Sequence, residues 1–292
     1  MQSSLAAAAL LCFALNTQAL TTTADRDFGS PPPVEGTIKF DLYQDYLMVA
    51  RGSAGTLKGL NFLIDTGVSP SVLDPRLAAK LHLLQSPGSI EVVGGSVQAG
   101  TANVPSLNLG PITRENVPVF IEDLSFFQKA LPVRIDGVIG LDVLGQNAFL
   151  IDYRVRQIHF GAHAVFPVSI PLRMVRGLAI VDAEVNDIPA HMVVDTGASS
   201  LLLFARSMQG PVTQVKVSAG QLPPDKIGEF VHKQASLQSF KLGQAEFRQP
   251  PACVVQDTSH EGRGFDGLIS PAALGMRRVA IDLVHGELGF SR

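Results

Sequence analysis

Asn61-Phe62-Leu63-Ile64-Asp65-Thr66-Gly67-Val68-Ser69 has a counterpart in Ala190-His191-Met192-Val193-Val194-Asp195-Thr196-Gly197-Ala198-Ser199. In each stretch an apolar run ends in Asp-Thr-Gly, and the two aspartates lie 130 residues apart. The same offset relates Asp136-Gly137-Val138-Ile139 to Asp266-Gly267-Leu268-Ile269, and Ile151-Asp152 to Ile281-Asp282. Three landmarks in one order at one spacing mark an internal duplication. Each copy brings a carboxylate to the end of a buried strand, where an unpaired charge is costly. In this turn Thr supplies a hydroxyl for backbone groups, Gly opens conformations closed to other residues, and the following Ser is a hydrogen-bond donor within reach of the acid.

The flanking sequence divides to suit the repeat. Two copies of about 130 residues make two lobes, at 36–165 and 166–292, each long enough to bury a core. Short apolar runs broken by Gly, Pro, Asn and Asp, such as Phe149 to Tyr153 and Val279 to Leu283, are strands by composition. Helical signal is confined to Pro75 to Leu84, with Asp74 as N-cap, and to short pieces at Leu141 to Leu144 and Ala272 to Leu274. An all-β chain with short helices is expected. Leu5 to Leu15 is an apolar run followed by polar residues and the small Ala19, which together predict a signal peptide over 1–19 and export. That run is too short to span a bilayer. Residues 20–35, rich in Thr and Pro, are expected to form a tail.

Composition narrows the function. Hydrophobic residues make up 46% and charged residues 17%, as in a globular chain, and the net charge of −3 comes with no basic cluster. Nucleic acid is therefore not expected as a partner. No metal-protease, serine-hydrolase or phosphate-loop pattern is present, and no metal or cofactor is expected. Cys253 is expected to be a small apolar filler, because Cys12 falls within the signal segment and leaves it no disulfide partner.

Two turns related by a pseudo-two-fold axis would bring both carboxylates together. Like charges a few ångströms apart share one proton. The ionised member can then activate a water while the protonated member donates to a carbonyl oxygen. On Asp65-Thr66-Gly67-Val68-Ser69, Asp195-Thr196-Gly197-Ala198-Ser199 and the two Asp-Gly-apolar-apolar segments, the chain resembles the two-lobed aspartic proteases of the pepsin and retropepsin clan. The lobe size is similar to a fused, single-chain retropepsin dimer, and the resemblance covers about 36 to 292.

The resemblance implies two β-barrel lobes in a monomer with an internal pseudo-dimer, and an endopeptidase acting on peptides or unfolded protein. It makes Asp65 and Asp195 the catalytic pair. Thr66 and Thr196 would join the two turns, formed with Gly67 and Gly197, and Ser69 and Ser199 would donate to the acids. It also implies a flap, best matched by Val92 to Thr101 with Gly94, Gly95 and Ser96 at its turn, while the matching stretch of the second copy is 217–228. Ser270 departs from the pattern, since it stands where Gly140 stands in the first copy. A peptide-binding or inhibitory protein on the same fold is the alternative expectation.

Overall fold

The computed structural model describes residues 13–14, 34–92, 95–129, 131–161, 164–205, 232–255 and 264–292. Strands dominate them, as the alternation of short apolar runs and turn residues requires. The helix at Pro75–Lys80 begins where Asp74 accepts the Arg76 amide at 3.0 Å, and it stops four residues short of the predicted end. Leu141–Leu144 is helical, whereas its counterpart at 271–275 is a series of turns.

The repeat is built around a threaded strand. Gly137–Ile139 runs parallel to the end of Leu57–Ile64 and, on its other side, antiparallel to Val72–Leu73. Gly267–Ile269 is held in the same way between Ile188–Val194 and Leu201–Phe204. A strand inserted between two others leaves no room at its first residue. A Cβ on Gly267 would meet the Leu202 carbonyl oxygen at 2.2 Å, and one on Gly137 would meet that of Val72 at 2.8 Å. The preceding acids pin these segments. Asp136 accepts the Asn61 amide at 2.9 Å and Asp266 the His191 amide at 2.7 Å. Asp136 and Asp266 thus act as turn acids, the role their place in the motif suggests.

Among the described residues, a six-stranded antiparallel sheet joins the lobes. Its order is Gly36–Tyr43, Gln157–Phe160, Phe149–Asp152, Arg278–Asp282, Glu287–Ser291 and Val168–Val175, three strands from each half. At its centre Leu150 pairs with Ala280, residues one repeat apart. The pseudo-two-fold axis therefore passes through that pair. The largest buried cluster lies along this sheet and takes residues from both halves, including Phe149, Ile158, Ile281 and Phe290. Smaller clusters back each acid turn, Val68, Leu63 and Val138 in the first half and Ala198, Val193 and Leu268 in the second.

The predicted flap falls on a hairpin, Ser86–Val92 with Gly95–Leu109, in which Val92 pairs with Gly95 and Glu91 with Ser96. Gly94 lies outside the described residues, as does the matching 217–228. Ile90, Val97 and Ala99 of the hairpin share a cluster with Val68 and Tyr46, so the hairpin packs beside the first acid turn. Among the described residues no helix is long and apolar enough to cross a membrane.

Candidate active site

Each acid turn is fastened to its threaded strand before any side chain acts. The Asp65 amide donates to the Ile139 carbonyl at 3.0 Å, and the Asp195 amide to that of Ile269 at 2.9 Å. Within each turn the glycine amide two residues on donates to the acid, Gly67 to Asp65 Oδ1 and Gly197 to Asp195 Oδ1, both at 2.8 Å. The same bond on both sides orients both carboxyl groups alike.

The two turns meet through the threonines. Thr66 donates its amide to Thr196 Oγ1 at 3.0 Å, and Thr196 returns the bond to Thr66 Oγ1 at 3.1 Å. The hydroxyls then donate across the axis, Thr66 Oγ1 to the Val194 carbonyl at 2.7 Å and Thr196 Oγ1 to that of Ile64 at 3.3 Å. All four bonds are buried, where a hydrogen bond is stronger and its loss leaves an orphaned group.

The glycines decide how closely the acids approach. A Cβ on Gly67 would lie 2.7 Å from Asp195 Cγ, and one on Gly197 would lie 2.2 Å from Asp65 Oδ2. Each carboxyl group therefore occupies the space left by the missing side chain of the opposite turn. Asp65 and Asp195 are both 1% exposed. Burial first, and then the neighbouring Asp195 charge, push the Asp65 carboxyl well above the ordinary range, although the Gly67 and Gly197 amides pull it back. The two carboxyls lie within hydrogen-bonding reach of each other.

The family model for aspartyl proteases matches the chain twice, at residues 52–143 and 181–276, which together make up more than half of it. The chain belongs to the aspartyl protease family. The two matches correspond to the two lobes of a fused, retropepsin-like duplicate. No curated relative matches the chain at a significant level.

The aspartyl protease departs from its own symmetry around this core. Ser69 turns its hydroxyl toward Gly177, whose added Cβ would lie 2.8 Å from Ser69 Oγ. Ser199, at the matching place, lies beside the Tyr46 hydroxyl. Behind the first turn Ser71 donates its hydroxyl to Asp142 at 2.7 Å and its amide at 3.0 Å, and accepts the Gly140 amide at 3.0 Å. The second lobe has Leu201 and Ala272 at those positions. There Ser270 takes over, its buried hydroxyl accepting the Ala273 amide at 3.2 Å. In the first lobe a side chain at Gly140 would strike the Val68 carbonyl at 2.0 Å, so the two turns differ in backbone path as well as in sequence.

Sequence reading missed Tyr46, Ser71 and Asp142. The unequal residues at matching positions of the repeat were a visible signal for all three. What they contact lay beyond it.

Proposed function

We propose that this aspartyl protease is an endopeptidase in which Asp65 and Asp195 form the catalytic dyad. The observation that supports this most strongly is the mutual seating of each carboxyl group on the opposite turn's glycine. It leaves two acids so close that they hold one proton between them. The ionised member takes a proton from a water held between the acids, and the resulting hydroxide oxygen bonds to the scissile carbonyl carbon. The protonated member gives its proton to the carbonyl oxygen. Collapse of the tetrahedral intermediate breaks the C–N bond: the amine leaves with the proton the first acid collected, and one hydroxyl of the diol returns its proton to the second acid, which restores the dyad.

An extended substrate is favoured by the strand edges around the site. Phe13–Ala14, from the apolar N-terminal run, pairs in parallel with Val68–Ser69, and Phe13 also pairs with Val92 of the hairpin. Backbone from outside the lobes thus finds partners on both the acid turn and the hairpin, as a substrate strand would need. The hairpin with Gly95 and Ser96 serves as the flap in this reading, and Ser199 supports the second acid turn. Export of a monomer with lobes at 36–165 and 166–292 completes the proposal.

The test is hydrolysis of an unfolded protein by the wild type, D65N and D195N. Wild-type cleavage with a loss of at least about a thousandfold in each variant is expected, because either change removes the shared-proton pair. Peptide binding without cleavage by the wild type would instead favour a binding protein on this fold.

A further inference from the structure

Tyr46 and Gly177 occupy matching places. Each is the residue before the second strand of its lobe's first hairpin, Leu47–Ala54 in one and Leu178–Val185 in the other. Each faces the serine that ends the opposite acid turn, Tyr46 facing Ser199 and Gly177 facing Ser69. Gly177 has φ +82°, a conformation that excludes most side chains, and its backbone stands directly against Ser69. One flank of the acid pair therefore presents a phenol and the other only backbone.

The Tyr46 hydroxyl has an unfilled role. Tyr46 is 6% exposed, and its oxygen is buried with no hydrogen bond. Ser199 is near enough to influence the phenol without completing a bond of good geometry to it. A buried hydroxyl left in that state costs about 1–3 kcal/mol, so a water or substrate atom between Tyr46 and the second acid turn is the natural partner. Burial raises the phenol's pKa, and of the two acids Asp195 acts on it more strongly than Asp65. Tyr46 thus stays a neutral donor at working pH, on the Asp195 side. Among the described residues Tyr153, after the strand Phe149–Asp152, also feels both acids, in the same order. Asp142, behind the first turn, is bonded to Ser71.

We propose that Tyr46 is the positioning residue that makes the two acids unequal: its hydroxyl beside Ser199 favours the carboxylate form of Asp195 and leaves the shared proton on Asp65. This rests on the dyad reading above and assigns its roles, with Asp195 as the base toward water and Asp65 as the acid toward the carbonyl oxygen. An O–H dipole on one side only is enough to separate two otherwise equivalent sites.

Y46F removes the hydroxyl and keeps the ring, and two readouts test it. In the pH profile of kcat/KM, the acidic limb of Y46F should move up by about half to one unit, the equivalent of one net hydrogen bond, with KM little changed. In carbon-13 NMR of the aspartate carboxyls, assigned with D65N and D195N, the first group to ionise should be Asp195 in the wild type, with the gap between the two acids narrowed in Y46F. A variant that merely loosened the fold would lower activity without moving the limb. Should Y46F fold poorly, the carboxyl titration of the wild type decides alone: Asp65 ionising before Asp195 would overturn the proposal. Unchanged limbs and an unchanged NMR titration would overturn the proposal. The NMR readout needs no turnover, so a wild type without hydrolysis would defeat the protease reading and still leave this one tested.

Discussion

Burial and the charge of Asp195 hold the Asp65 carboxyl above its ordinary range, and that displacement has a consequence for stability. A group whose folded-state pKa lies above its unfolded value binds its proton more tightly when folded. Its contribution to stability is complete below the unfolded value, at about pH 4, and is lost as pH rises through the folded value. Each unit of displacement corresponds to about 1.4 kcal/mol. Asparagine mimics the protonated form at every pH. D65N should therefore melt close to the wild type near pH 3.5 and above it near pH 7.5, as thermal unfolding at both values would show. A D65N protein less stable than the wild type at pH 7.5 would contradict a raised Asp65. The site acids are thus a point where activity is expected to oppose stability.

The four threonine bonds form one element, although each lobe supplies half of it. Thr66 and Thr196 lie on the axis, and each hydroxyl both accepts the other's amide and donates to a carbonyl of the opposite lobe. T66V and T196V keep the volume and delete one hydroxyl each. Each should cost about 1–3 kcal/mol, because a buried amide is left without an acceptor. Residues that share one network do not add independently. A double-mutant cycle by denaturant unfolding should give a coupling of about 1 kcal/mol, and strict additivity would show that the halves act separately. The support behind the turns is unequal. Ser71, Asp142 and Gly140 brace the first, while the Ser270 hydroxyl braces the second.

Across the whole molecule, the joining sheet and the largest cluster make the lobes interdependent. The sheet passes from Phe149–Asp152 of one half to Arg278–Asp282 of the other, and the main cluster continues through it. A lobe made alone would expose that central edge and the apolar face behind it, an invitation to aggregate. Thermal unfolding of the full chain should follow a single transition, and residues 36–165 or 166–292 produced separately should be unstable or self-associate. Two resolved transitions by calorimetry would show that each lobe has a sufficient core of its own.

The repeat of Asp-Thr-Gly with Asp-Gly-apolar-apolar, read from sequence alone, determined the two-lobed β architecture, the family and the position of the paired acids. Those features are local and stereochemical: an acid at a strand end, a turn that needs glycine, and a threaded strand with no space at its first residue. Tertiary structure alone decided that Gly67 and Gly197 make room for the opposite lobe's carboxyl, and that Ser69 faces Gly177 while Ser199 faces Tyr46. It also decided that Ser270 fits because its turn follows a different path from that at Gly140. Each of these depends on which groups meet across a pseudo-two-fold axis from positions far apart in the chain. A repeat in sequence specifies what the halves share, and only their packing determines where they become unequal.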